Sequence, residues 1–153
     1  MSHEVEIGRG KRGRRAYTLD DIALVPARRT RDPEDVNVGW QIDAYHVDIP
    51  LMAAPMDSVM SPETAIAFGR LGGIGVLDLD GLWTRYEDPA PILDQIAHLG
   101  EEESIATLQR VYSEPIKPSL ITERLKQLRE AGVVVAGKLS PQRVQKYWRA
   151  VVD

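Results

Sequence analysis

The sequence decides its fold at residues 50–60, which read PLMAAPMDSVM. Residues 51–54 form a continuous apolar run, which is typical of a strand buried on both faces of a parallel sheet. A helix start follows, because Ser61 is a good N-cap and Pro62 suits the first helical position. After that helix and a Gly-Gly stop comes a second apolar run, residues 74–77. Strand, helix and strand in this order predict parallel β/α units.

The same alternation continues to the end of the chain. Periodic apolar positions predict helices near residues 92–99, 105–112 and 121–128, and residues 133–137 form a third apolar strand. Ser140 and Pro141 repeat the N-cap signal for a last helix, whose expected apolar stripe is Val144, Trp148 and Val151. The predicted fold class is therefore α/β, with parallel strands alternating with helices. The last helix has no stop signal, so we expect this chain to be a piece of a longer one.

Residues 1–48 have a different character and are predicted to form an arm with short strands, ahead of a β/α region over residues 49–153. A basic run punctuated by glycine extends from Arg9 to Arg15. Residues 40–43 and 47–49 alternate apolar and polar side chains, which predicts two short half-buried strands. The arm is too irregular for a long helix and is expected to lie on a larger body.

Composition excludes several classes of protein. With 43% hydrophobic and 27% charged residues among 153, the chain can bury a core. No apolar run is long enough to span a bilayer and no secretory signal is visible, so a soluble, cytoplasmic protein is expected. The absence of cysteine excludes disulfides, thiolate metal sites and a cysteine nucleophile within this chain. His3, His46 and His98 lack partners at ligand spacing, so no metal site is expected.

The pattern Gly8-x-Gly10-x-x-Gly13 matches the letters of a dinucleotide-binding fingerprint. That mechanism needs a strand before the glycines and a helix after them, and no helix signal follows here. A flexible basic arm is the favoured interpretation. Nucleic-acid binding through Arg9–Arg15 is disfavoured, because the formal net charge is −4 and no aromatic residues interleave the basic ones.

The strand end at Met56 and Asp57 is the main candidate for chemistry. The carboxyl ends of parallel strands are where α/β proteins place ligands. A polarizable Met56 could lie against a flat base, and Asp57 could accept hydrogen bonds from a sugar or a base. The residues alone leave a second interpretation equally open, in which Met56 fills the core and Asp57 is a turn or capping residue.

Three motifs together resemble the IMP dehydrogenase / GMP reductase family: YTLDDIALVP at residues 17–26, IPLMAAPMDSV at residues 49–59 and GGIGVL at residues 72–77. Typical dehydrogenases of the family carry a histidine directly after the third motif, where this chain has Asp78. The resemblance is therefore greatest to the IMP dehydrogenase-related subgroup. Only residues 88–132 separate the second and third strands, so the paired regulatory domains of many dehydrogenases are not expected.

The resemblance implies a TIM (β/α)8 barrel, of which residues 49–153 would be the first three β/α units. It also implies a purine nucleoside monophosphate ligand (IMP, XMP or GMP), NAD or NADP as cofactor, and a homotetramer. Carried over by position, Ala54, Pro55 and Met56 would contact the nucleotide, and Asp57 would shape its base and ribose end. The family's catalytic cysteine lies in a later loop. No catalytic residue is therefore assigned here, and the chain is expected to be inactive alone; the alternative is a non-catalytic truncated or partner protein.

Overall fold

A computed structural model of the chain describes residues 4–25 and 31–152. The chain divides into two compact units, Met1–Asn37 and Val38–Asp153. This boundary, between residues 37 and 38, precedes the two short strands. The sequence predicts a boundary after them, between residues 48 and 49. The hairpin residues belong with the second unit because Tyr45 lines one pocket together with Leu125 and Val133.

The first unit begins with an antiparallel hairpin formed by β1 (Glu4–Glu6) and β2 (Arg12–Arg14). Gly8 and Gly10 adopt φ values of 71° and 72° in its turn, a conformation that glycine adopts without strain. The basic run is thus part of a β-hairpin in the described structure. Two short 3₁₀ helices, Leu19–Asp21 and Pro33–Asp35, complete the described part of this unit.

The second unit begins with another hairpin, formed by β3 (Trp40–Ile42) and β4 (Tyr45–Val47). The predicted strand over residues 47–49 is wrong in position, since β4 starts two residues earlier. Asp43 has a φ of 49° and so makes a tight turn, which pairs Ile42 with Tyr45. Asp tolerates this left-handed conformation better than most residues.

Three parallel strands form the sheet of the second unit in the order β5 (Met52–Ala53), β6 (Ile74–Asp78) and β7 (Ala136–Lys138). Ala53 pairs with Gly75, and Val76 pairs with Ala136. The predicted α/β class with a parallel sheet is confirmed. Because the strands are parallel, their carboxyl ends meet at one edge of the sheet.

The described helices of the second unit are α1 (Pro62–Arg70), α2 (Ala90–Ala97), α3 (Glu101–Ser113), α4 (Pro118–Glu130) and α5 (Pro141–Val152), with a 3₁₀ helix at Leu82–Thr84. The predicted start of α1 is confirmed, since the Ser61 hydroxyl accepts the N–H of Thr64 at 3.1 Å. Among the described residues, no helix is both long and apolar enough to cross a membrane.

The core lies between β6 and helices α1 and α4. Leu77, Leu79, Ile121 and Leu128 are at most 1% exposed. Gly75 lets α1 approach β6 closely, because a Cβ at this position would lie 2.6 Å from the Cα of Ala65.

Three expectations about burial and strand position were wrong. Leu51 and Met52 are 57% and 58% exposed rather than buried, at the start of β5, which pairs only with β6 among the described residues. Strand β7 spans Ala136–Lys138, later than the apolar run that predicted it. In α5, Val144 and Trp148 are 43% and 48% exposed, whereas the buried positions are Tyr147 and Ala150. Val151 of the predicted stripe packs against the core, so the inward face of helix α5 only partly overlaps that stripe.

Candidate functional site

A cleft of about 440 Å³ lies at the carboxyl ends of β5 and β6. Its lining comes from the segment after β5, from the end of β6 and the loop after it, and from helices α2 and α3. The lining residues are Pro55, Met56, Asp57, Ser58, Asp78, Leu82, Leu93, Ile96, Leu108 and Tyr112. Mostly apolar walls with a few polar groups are typical of small-molecule sites.

The predicted contact residues follow β5 directly. Pro55 and Met56 line the cleft, and the Met56 side chain is 49% exposed. Ala54 is exposed but is not among the lining residues. A tight turn presents this segment, because the N–H of Met56 donates to the carbonyl of Ala54 at 2.9 Å. Met56 is therefore not packed as a core filler in the described structure.

Asp57 ties three parts of the cleft together. Its Oδ2 accepts the backbone N–H of Leu82 at 2.7 Å and the hydroxyl of Tyr112 at 2.5 Å. Its Oδ1 is buried and has no hydrogen-bond partner among the described residues. Burial raises the pKa of Asp57, and the two hydrogen bonds only partly oppose this effect. Gly81 packs against this carboxylate, where any side chain would collide with it.

Tyr112 brings helix α3 to the strand end, and sequence reasoning missed this role. The sequence identified Tyr112 only as a periodic apolar position of a helix. Burial and the neighbouring Asp57 raise the pKa of its phenol, so the hydroxyl stays protonated. The Arg85 guanidinium lies 5.6 Å from the centre of its ring, and Arg85 itself is only 4% exposed.

A cluster of charged side chains lies at the carboxyl ends of β6 and β7. Lys138 Nζ is 3.3 Å from Asp78 Oδ1 and 3.6 Å from Asp80 Oδ2. Asp80 also accepts the backbone N–H of Ser140 at 2.8 Å. Asp78, which stands where typical family dehydrogenases have histidine, therefore joins an ion-pair network. The sequence did not predict the participation of Lys138.

The loop between β6 and α2 forms a well-anchored wall. Arg124 of α4, only 6% exposed, donates from Nε to the carbonyl of Trp83 at 3.1 Å and from Nη2 to that of Glu87 at 2.5 Å. The Thr84 hydroxyl donates to the carbonyl of Leu79 at 3.0 Å. Arg85 donates to the carbonyls of Asp80 and Glu114. These bonds satisfy carbonyls of the loop and of its neighbours, and they hold Leu82 beside Asp57.

The glycine pattern at Gly8 does not fit a dinucleotide cradle. Its glycines lie in and after the turn between β1 and β2. The next element among the described residues is a three-residue 3₁₀ helix, Leu19–Asp21, and not an α-helix whose N-terminus could face a pyrophosphate. Among the described residues, no group of three or more His, Asp or Glu side chains is arranged to hold a metal ion. His46 and His98 each lie near one aspartate, at 3.7 and 3.8 Å, and His3 lies outside the described residues.

Known proteins with similar sequences show to which family the chain belongs. A family model described as the IMP dehydrogenase / GMP reductase domain matches residues 16–153. The chain belongs to the IMP dehydrogenase / GMP reductase family. This confirms the resemblance carried by the three sequence motifs.

The relatives in this family include an oxidoreductase without an assigned reaction and a named dehydrogenase. An uncharacterized oxidoreductase from Mycolicibacterium smegmatis is 43% identical over 146 residues, which cover 92% of this chain and 39% of that protein. An inosine-5'-monophosphate dehydrogenase from Methanocaldococcus jannaschii is 42% identical over 64 residues, covering 42% of this chain and 13% of that protein. The family is thus one of oxidoreductases.

A solved structure shares the fold. The crystal structure of an IMP dehydrogenase/GMP reductase-like protein from Corynebacterium glutamicum matches with a TM-score of 0.81 and 40% sequence identity. The match covers 97% of this chain and 41% of that one. This chain therefore spans about two fifths of the length of the Mycolicibacterium smegmatis and Corynebacterium glutamicum proteins.

Proposed function

We propose that this chain supplies one wall of a purine nucleoside monophosphate site in an oxidoreductase of the IMP dehydrogenase / GMP reductase type. In this proposal its three β/α units are part of a (β/α)8 barrel. The observation that carries it is the cleft at the carboxyl ends of β5 and β6, the end of a parallel sheet where ligands bind. The predicted residues Pro55 and Met56 line that cleft.

The roles of the strand-end residues follow from their placement. The exposed Met56 thioether offers a polarizable surface for a flat purine, and Pro55 beside it stiffens the turn. Ala54 leaves room for the backbone of the turn to approach the nucleotide. Asp57 shapes the base and ribose end by fixing Leu82 and Tyr112, since both of these groups bind its Oδ2.

The cofactor is proposed to be NAD or NADP, which when bound would accept or supply the hydride. Because the glycines near Gly8 form a hairpin, that segment does not fit the cofactor's pyrophosphate. We therefore assign no residue of this chain to the cofactor and no step that passes through it. The class reaction is oxidation of IMP or reductive deamination of GMP, in a homotetramer of the whole protein.

A second candidate is a non-catalytic protein that binds the nucleotide or assembles with full-length barrels. The observation that favours it is the absence of cysteine from all 153 residues. The nucleophile that the family resemblance implies must then come from another part of the protein or from a partner. The intact mass of the native protein separates the two candidates: a native mass of about 17.1 kDa, that of this chain alone, would refute a role as part of a catalytic barrel.

Calorimetric titration of the chain with IMP, GMP and XMP tests the nucleotide site, with UMP as the pyrimidine control. We expect binding of purine nucleotides in preference to UMP. Met56→Ala should weaken that binding about 5-fold, the equivalent of roughly 1 kcal/mol for part of a buried side chain. Met52→Ala is the matched control, because Met52 is 58% exposed and does not line the cleft. Equal binding of UMP, or equal effects of the two variants, would overturn the proposal.

A further inference from the structure

Helix α3 contributes to the cleft although no family motif quoted above includes it. We propose that Tyr112 of α3 is a ligand-binding residue that accepts a hydrogen bond from an N–H or O–H group of the purine nucleotide. This inference rests on the proposed nucleotide site at Pro55 and Met56. It extends that site from the strand end to a helix that follows β6 in the sequence.

The hydrogen bond to Asp57 gives the Tyr112 oxygen its chemical role. A phenol has one hydrogen to donate and two lone pairs that accept. The hydrogen is committed to Asp57 Oδ2 at 2.5 Å, which leaves the lone pairs for other partners. Tyr112 is 39% exposed and lines the cleft, so solvent or a ligand can reach the side chain. An acceptor of this kind selects ligands that carry N–H or O–H donors.

The surroundings hold the Tyr112 ring in place before a ligand arrives. The Arg85 guanidinium lies 5.6 Å from the ring centre. The Arg85 guanidinium is held in turn by its hydrogen bonds to the carbonyls of Asp80 and Glu114. If the Tyr112 ring moved away, it would lose its contact with this fixed guanidinium. A side chain already fixed in position loses little conformational entropy on binding.

The apolar walls of the cleft strengthen a hydrogen bond to Tyr112. Leu93 and Ile96 of α2 and Leu108 of α3 line the same cleft, so a ligand bound against them would displace water from beside Tyr112. A polar contact surrounded by apolar side chains is stronger than one in bulk water. A purine ring fits these walls, because one flat face can pack on Met56 while its polar edge reaches the phenol.

Nuclear magnetic resonance of the chain with IMP tests the inference directly. We expect intermolecular NOEs between the Tyr112 ring protons and protons of IMP, together with shifts of the Met56 methyl resonance. Tyr112→Phe should weaken binding of IMP about 5-fold, the equivalent of roughly 1 kcal/mol for one neutral hydrogen bond. Tyr45→Phe is the matched control and should leave the affinity unchanged, because Tyr45 is 52% exposed and does not line the cleft.

The outcomes separate the inference from the function on which it rests. NOEs to Tyr112 with the weaker affinity of Tyr112→Phe support both. Shifts at Met56 without NOEs to Tyr112 overturn the inference and leave the proposed nucleotide site standing. No response at either residue overturns both. A dispersed spectrum of Tyr112→Phe shows that the fold is kept, so that a loss of affinity is assigned to the missing hydroxyl.

Discussion

Replacing Arg124 with methionine should lower the free energy of unfolding more than any surface substitution on the same helix. Arg124 is 6% exposed and donates to the carbonyls of Trp83 and Glu87 at 3.1 and 2.5 Å. A hydrogen bond from a charged donor contributes about 1.5–3 kcal/mol, so two give roughly 3–6 kcal/mol. Methionine keeps the apolar stem and avoids the desolvation of the guanidinium, which places the expected loss near the lower end, about 3 kcal/mol.

Urea unfolding followed by tryptophan fluorescence measures this loss. Trp83 is a suitable reporter, because the Arg124 guanidinium lies 5.9 Å from its ring centre. Lys126→Met is the matched control on the same helix. The Lys126 side chain is 65% exposed and pairs with Glu130 at 3.6 Å, so its loss should cost less than about 0.5 kcal/mol.

An equal effect of the Arg124 and Lys126 substitutions would refute this reasoning. So would a loss below about 1 kcal/mol, since the carbonyls would then have found other partners. Should Arg124→Met fail to fold, Arg124→Lys provides the measurement. Lysine keeps the charge but lacks the planar fork that reaches two carbonyls at once, so about half of the loss is expected.

Two further predictions concern close packing and pH. Gly75→Ala should lower the free energy of unfolding by about 1–3 kcal/mol, because the new Cβ meets both the backbone and the Cβ of Ala65 in α1. The double variant Gly75→Ala, Ala65→Gly should recover part of that loss, as measured by thermal unfolding. If the losses of the two single variants simply added in the double variant, the packing argument would be contradicted. In the folded chain the pKa of Asp57 is raised above its ordinary value of 3.8. Asp57 therefore contributes stability at pH values below 3.8, and this contribution is lost as the pH rises through the folded-state pKa. The stability of Asp57→Asn relative to the unsubstituted chain should therefore increase over that pH range in urea titrations, whereas a constant difference would exclude a raised pKa.

Local signals predicted the order of the elements correctly in the β/α region, although not the β1–β2 hairpin before it. Ser61 and Pro62 mark a helix start through hydrogen bonds and a fixed φ within a few residues, and the structure places α1 there. The apolar runs predicted three parallel strands for a similar reason, since alternation with helices leaves few other arrangements. Such features depend on neighbours in the chain and are visible in one sequence.

Burial at the sheet edge was not predictable in the same way. The apolar run at residues 51–54 predicts a strand covered on both faces, but Met52 is 58% exposed. Sequence pattern reports what a strand is suited to contact, whereas exposure depends on which partners are present in the described structure. The stripe of α5 was only partly right for a related reason: the helix has one broad apolar side, and packing decides which part of that side faces the core.

The site could be predicted only in part. The strand end at Met56 and Asp57 was found from its position, but the contacts of Asp57 were not. Its partners Leu82 and Tyr112 lie 25 and 55 residues away in the sequence. No spacing rule connects a carboxylate to a tyrosine at such a distance, so only the folded chain shows that they meet.

The shared carboxylate of Asp57 also constrains how this part of the family can evolve. Tyr112 loses its hydrogen-bond acceptor if position 57 becomes apolar, and Asp57 loses a donor if position 112 becomes phenylalanine. A change at either site is therefore tolerated best when the other changes with it. Among relatives, the residue type at position 112 should follow the one at position 57, and a side chain at position 81 should appear only where the carboxylate has gone.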